Sequence, residues 1–216
     1  MILPRIGSML LGYVLGNFLT AFAVTYLFAH TSPRKIGSGN PGMANVMAQL
    51  GFGPGVLVLI GDLGKTILAV VLAQYWFGSN IGSLATLYAA VGATLGHNFP
   101  VWQNFRGGKG VAVTVALVVL YNPFWGFMAL IGALVVLLAT QYLSLAGIAI
   151  LAVYLIISLF VFTPEVSIVL AALMLVMSVR FWRDIENILQ GKQEKKNIPR
   201  KIVSLLKKKA AKPVKK

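Results

Sequence analysis

Residues 96–112, GHNFPVWQNFRGGKGVA, set Arg106 and Lys109 around a Gly-Gly pair immediately before a hydrophobic helical run. Free backbone N–H groups, a lysine point charge and a helix amino terminus are the physical parts of a phosphate-binding loop. The pattern is not the GxxxxGK[ST] of nucleoside triphosphatases, because Gly110 follows Lys109, so nucleotide hydrolysis is unsupported. A second island, residues 33–55, reads PRKIGSGNPGMANVMAQLGFGPG and places Arg34 and Lys35 beside a Gly/Ser/Asn turn. Such a turn suits an anion nest, most readily for phosphate, or an ordinary flexible loop with cations near the membrane. Asp62 and Lys65 stand at i and i+3 within an apolar run and so share one helix face. Ionisable groups at that depth face a bundle interior or a water-filled site, or else satisfy each other as a structural pair. His97 has the chemistry of a general base, and equally that of an interfacial histidine bonded to a carbonyl. Ser144 opens a later apolar run, where a serine caps the helix or joins a polar site. No Ser, His and Asp are spaced as a nucleophilic set.

The elements that position these islands are written in the composition. The chain has 216 residues, 58% hydrophobic and 11% charged, with a net charge of +14. Soluble domains carry about 25% charged residues, and disorder requires low hydrophobicity, so both classes are excluded. A nucleic-acid binder has such a charge but not such hydrophobicity. What remains is a membrane protein with cationic segments outside the lipid. The absence of cysteine excludes disulfides, zinc thiolates and thiol nucleophiles, and two histidines with five acids leave little for a metal site. No metal and no cofactor are expected.

Seven apolar runs cover roughly 7–29, 55–77, 83–96, 111–121, 124–140, 143–162 and 165–182. They are continuous rather than alternating, which predicts helices and not strands. A crossing takes about 20 apolar residues; the first, second, fifth, sixth and seventh runs qualify, whereas the third and fourth are short. The prediction is an all-α bundle of about seven transmembrane helices, or five crossings plus re-entrant segments. The first run is too long for a signal peptide and is expected to stay. Of 19 cations, 13 lie from Arg180 onward; with seven crossings, all but Arg5 and Lys65 fall on one side. The positive-inside rule then puts the amino terminus outside and the carboxyl terminus in the cytoplasm, with every polar island opening to the cytoplasmic face. Segment 192–216 reads as a basic tail whose stretch 200–209, RKIVSLLKKK, lies against the anionic leaflet.

At these residues the chain resembles the bacterial acyl-phosphate:glycerol-3-phosphate acyltransferases, the PlsY family. That family's G-S-G-N-x-G-A-T-N-x-x-R motif, after R/K-K-I, is matched by Arg34-Lys35-Ile36 leading into Gly37, Ser38, Gly39, Asn40, Gly42 and Asn45. Its G-H-x-F-P-V…K-G-G-K-G-V-A is matched by Gly96, His97, Phe99, Pro100, Val101, Gly107, Gly108, Lys109, Gly110, Val111 and Ala112, with Arg106 for the first lysine. D-x-x-K is met by Asp62 and Lys65, and Y-V-S-L-A by Tyr142, Ser144, Leu145 and Ala146. The likeness runs from residue 10 to about 192.

It implies a seven-helix bacterial plasma-membrane enzyme of phospholipid synthesis, with residues 1–191 as one transmembrane domain. The enzyme would move a fatty acyl group from acyl phosphate to the 1-hydroxyl of glycerol 3-phosphate, giving lysophosphatidic acid, without metal or nucleotide. It implies Ser38, Asn45, His97, Lys109 and Ser144 as the reacting set. Lys35, Gly37, Gly39, Asn40, Gly42, Arg106, Gly107, Gly108, Gly110 and Arg180 would hold substrate phosphate. Partners would be the two substrates and membrane lipids, not nucleic acid. Departures stand at Ala48 for the first motif's arginine, Met43-Ala44 for its Ala-Thr, Phe181 for a histidine and Asp184 for an asparagine; Gly16-Asn17-Phe18-Leu19 replaces G-S-I-P. Arg180 and Arg183 are placed to compensate. The departures keep open a relative that acylates another small hydroxyl compound, and the intramembrane pair with its short runs a lipid-binding protein or an anion transporter.

Overall fold

Each apolar run becomes helix in the computed structural model, which describes residues 1–193 and 195. The elements are α1 (Leu3–Gly16), α2 (Thr20–Ala29), α3 (Met43–Leu50), α4 (Phe52–Ile81), α5 (Leu84–Asn98), α6 (Val111–Tyr121), α7 (Pro123–Thr140), α8 (Leu143–Val161) and α9 (Pro164–Leu189). There is no strand among the described residues. Among the described residues, five stretches are long and apolar enough to cross a membrane: Leu3–Ala29, Phe52–Ile81, Pro123–Thr140, Leu143–Val161 and Pro164–Leu189. They are the five runs whose length sufficed in the sequence. The 15 residues of α5 and 11 of α6 reach only about 22 and 16 Å at 1.5 Å per residue, short of a hydrocarbon core of about 30 Å. The amphipathic stretch at 200–209 lies outside the described residues.

Two local outcomes differ from the runs as read. Residues 7–29 form two helices, parted at Asn17–Leu19, where Leu19 is extended at φ −96° and ψ 98°. The island 33–55 contains a helix, α3, and α4 runs past the end of the second apolar run to Ile81, so the turn falls at Gly82, φ +56°.

The short α5 is the axis of the bundle. Its face-to-face approach to α1 depends on small residues spaced four apart on both helices. A β-carbon at Gly12 or Gly16 would collide with the Ala89 or Ala93 carbonyl, and one at Gly92 or Gly96 with the Met9 or Tyr13 carbonyl. Close backbone approach of this kind replaces the hydrophobic drive that lipid does not supply. Around it, large apolar side chains of α7 such as Phe127, Ile131 and Leu134 are exposed, as are Ile156 and Phe160 of α8 and Leu175 and Val179 of α9. Only an apolar surrounding suits such a surface.

The bundle has two chemically distinct ends. At one, Glu165 at the start of α9 accepts from Arg5 Nη2 at 2.7 Å and from Tyr88 Oη at 2.8 Å, joining α1, α5 and α9. At the other lie both glycine–cation islands.

Candidate active site

The first island folds on its own side chains. Gly37 and Gly39 take positive φ, +50° and +71°, which an L-residue resists. Asn45, on α3, is buried beneath the turn: its Oδ1 accepts from Ser38 N at 2.9 Å, and its Nδ2 donates to the Pro33 and Ile36 carbonyls at 3.2 and 3.1 Å. The Gly39 and Gly42 amides bond to Ile36 O and Asn40 O. Thus Asn45 and the glycines shape the turn, and the groups left facing outward are the exposed Ser38, Arg34 and Lys35. The Asn40 side chain lies beside Gly42. Ala48 is exposed on α3, so no cation stands at that position.

The second island closes against the end of α5. Gly107 N donates to Asn98 O at 2.9 Å and Gly108 N to His97 O at 3.0 Å. A β-carbon on Gly108 would strike His97 Nε2, which is why this pair must be glycine. Beyond them, the amides of Lys109 and Gly110 have no partner among the described residues, and α6 starts without a side-chain cap. The anion-ready N–H groups therefore lie at 109–111, one step later than the Gly-Gly pair expected to supply them.

Helix α9 grips this loop twice. Arg180 donates from Nη2 to Gly107 O at 2.8 Å and to Gly108 O at 2.9 Å, and from Nε to Gly108 O at 3.2 Å. Its fork is thus engaged with backbone, where the sequence suggested phosphate. One turn on, Asp184 accepts from Lys109 Nζ at 2.6 Å, and the ammonium sits 5.6 Å from the Phe181 ring centroid. Two of the departures are therefore the immediate surroundings of Lys109. The islands meet across an aromatic pair, Phe22 and Trp102, with centroids 5.0 Å apart and Arg34 stacked 5.9 Å over Phe22. Desolvation and the like charge of Arg106 hold the Arg34 guanidinium below the usual arginine range. Arg34 thus feels the like charge of a cation from the other loop, a repulsion that a bound anion relieves.

Asp62, Lys65 and His97 form a separate network inside the bundle. Lys65 Nζ is 2.9 Å from Asp62 Oδ1, 2.9 Å from His97 Nδ1 and 2.7 Å from the Phe18 carbonyl that the α1–α2 break leaves unpaired. Thr20 donates to the same carboxylate at 3.3 Å. His97 is 3% exposed, with one ring nitrogen on this network and the other against Gly108. It supports the second island, loop two, from below, with its ring almost wholly enclosed. Ser144 is the second residue of α8 and makes no cap bond; its buried Oγ has no partner among the described residues.

Three contributors escape sequence reasoning. Asn17 Oδ1 accepts from Val101 N, and Trp102 Nε1 donates to Asn17 O, both at 2.8 Å, so the helix break docks the turn of loop two. An asparagine within an apolar run was the available signal. The Lys109–Asp184 pair and the Arg180 clamp join residues more than 70 apart and left no local trace.

A family profile described as glycerol-3-phosphate acyltransferase matches residues 6–191. The chain belongs to the glycerol-3-phosphate acyltransferase family. It is 36% identical over 191 residues to Glycerol-3-phosphate acyltransferase 1 of Lactobacillus johnsonii, spanning 88% of this chain and 92% of that one. To the protein of the same name from Lactobacillus acidophilus it is 37% identical, spanning 88% and 90%. A crystal structure of PlsY, an integral membrane glycerol 3-phosphate acyltransferase, in its glycerol 3-phosphate form, superposes with a TM-score of 0.78 at 25% identity, covering 88% of this chain and 94% of that one. The acyltransferase fold of this chain is an all-helical, multi-pass integral membrane fold.

Proposed function

We propose that this acyltransferase moves a fatty acyl group from acyl phosphate to the 1-hydroxyl of glycerol 3-phosphate, yielding lysophosphatidic acid and inorganic phosphate. Supporting it most is one observation: in a chain of this family, Lys109 and the uncapped start of α6 lie at the same end of the bundle as Arg34, which stacks on the Phe22–Trp102 pair joining the two islands. Lys109, Arg106 and the amides of residues 109–111 hold the donor's phosphate. The Gly107 and Gly108 carbonyls, held by Arg180, keep that loop in place. Ser38 and Asn40 contact substrate from loop one, with Lys35 adding charge, while Asn45 keeps the turn in shape. The unpartnered Ser144 Oγ donates to the reacting group.

The chemistry needs no protein nucleophile, because the donor is already activated. The glycerol hydroxyl oxygen attacks the acyl carbon, the bond from that carbon to the phosphate oxygen breaks, and the hydroxyl proton leaves on phosphate. The protein's part is orientation and stabilisation of the developing oxyanion. Residues 1–191 carry the activity, in the bacterial plasma membrane with the amino end outside; the basic tail from 192 meets anionic lipid on the cytoplasmic side.

The test is turnover by purified protein with acyl phosphate or an acyl thioester as donor, against glycerol 3-phosphate, glycerol and other small alcohols. Lysophosphatidate formed from acyl phosphate and glycerol 3-phosphate is expected. Preference for a thioester overturns the donor, and preference for an unphosphorylated alcohol the acceptor. The second outcome is the reading that Phe181 and Asp184 favour, since both replace residues of the phosphate-binding family motif.

A further inference from the structure

The carboxylate of Asp184 accepts from Lys109 at 2.6 Å, and the side chains are 12% and 30% exposed, so the pair sits at the edge of the bundle with the lysine on the open side. Asp184 is also the acid that meets the site. Among the other described acids, Asp62 is on Lys65 inside the bundle, Glu165 is on Arg5 at the far end, and Glu186 accepts from Gln190 on the outer turn of α9. The remaining charged groups around loop two, Arg34, Arg106 and Arg180, are cations. An ammonium offers three donors to carboxylate or phosphate oxygens, and a bound phosphate beside Asp184 meets a like charge. A carboxylate at this place thus competes with phosphate for Lys109, whereas an asparagine amide of the same shape accepts more weakly and does not repel the anion.

We propose that Asp184 is a positioning residue that sets the phosphate affinity of the site through Lys109. It holds the ammonium at loop two when the site is empty, yields its donors when phosphate arrives, and weakens retention of inorganic phosphate after transfer. This rests on the assignment of Lys109 to the donor's phosphate made above.

The test is calorimetric binding of inorganic phosphate to the detergent-purified full chain, which needs no turnover, joined to KM and kcat for acyl phosphate. Asp184→Asn is expected to tighten phosphate about fivefold, the effect of a partly exposed ion pair. KM for acyl phosphate falls by a similar factor, and kcat changes less. Asp184→Ala repeats the gain by a second route should Asn fold poorly. Asp184→Glu, which keeps the charge, stays within about twofold of the native protein. In a Lys109→Ala background the Asp184→Asn gain disappears. The proposal is overturned if both neutral variants bind phosphate as the native protein does or more weakly. It is overturned equally if Asp184→Glu behaves like Asp184→Asn, or if the gain persists without Lys109. Intact phosphate effects in a protein that does not turn over acyl phosphate would sink the proposed reaction and leave this inference standing.

Discussion

Replacing Lys65 by methionine removes the one charge that neutralises a carboxylate inside the bundle. Asp62 is 2% exposed, and without Lys65 its remaining neighbours are the Thr20 hydroxyl at 3.3 Å and the buried His97 Nδ1 at 3.6 Å, neither of them a fixed positive charge. The Phe18 carbonyl in the α1–α2 break also loses its 2.7 Å donor. Breaking a buried pair from one side costs about 3–5 kcal/mol, because the remaining charge is uncompensated. At about 2–4 °C per kcal/mol for a chain of this length, thermal unfolding in detergent falls by roughly 10 °C. Replacing both partners, Asp62→Asn with Lys65→Met, removes the stranded charge and is expected to recover at least half of that loss. What is not recovered is the orphaned Phe18 carbonyl, about 1–3 kcal/mol. Unfolding is followed by helical circular dichroism, with a double-mutant cycle over the four proteins. A Lys65→Met variant within about 2 °C of the native protein would mean that the Asp62 charge is not left uncompensated, and a double variant that loses the sum of the two single changes would mean that the pair is not coupled.

Other expectations follow from single contacts. Arg180→Lys keeps the charge but cannot span the Gly107 and Gly108 carbonyls; kcat is expected to drop about tenfold or more while the melting temperature moves little, and unchanged kcat contradicts the clamp. Ser144→Ala removes a hydroxyl with no partner among the described residues, so it leaves stability alone and lowers kcat by about one to two orders of magnitude; a stability loss with full activity would make Ser144 structural. Gly92→Ala forces α5 off α1 and is expected to abolish folded protein, whereas Gly64→Ala, with nothing near its β-position, is neutral in the same expression and melting assay.

The legibility of this chain follows the range of the forces involved. Runs such as 55–77 and 165–182 were readable because lipid imposes a length and an apolar character that composition records directly. The two islands were readable because glycine, cation and helix start follow one another in sequence. The break after Asn17 was not, since Asn17, Phe18 and Leu19 are held apart from helix by Trp102, Val101 and Lys65, all distant in sequence. Likewise the glycines of 107–108 read as phosphate donors, yet their amides bond to the end of α5 and their carbonyls to Arg180. Asp184 read as a lost asparagine and turned out to be the partner of Lys109. Local motifs announce which groups matter; which group each one meets is decided by the packing of α9 on loop two.

In the proposed reaction Lys109 holds the phosphate of an acyl donor whose chain passes to glycerol 3-phosphate. The most direct test of that reaction is phosphate release by the purified full chain given both substrates, with lysophosphatidate counted in parallel, for the native protein and Lys109→Ala. Phosphate and lysophosphatidate are expected in equal amounts from the native protein, with no release without glycerol 3-phosphate and a loss of at least about a hundredfold in the variant with the fold intact. Release independent of glycerol 3-phosphate, or a Lys109→Ala protein as active as the native one, would contradict that reaction.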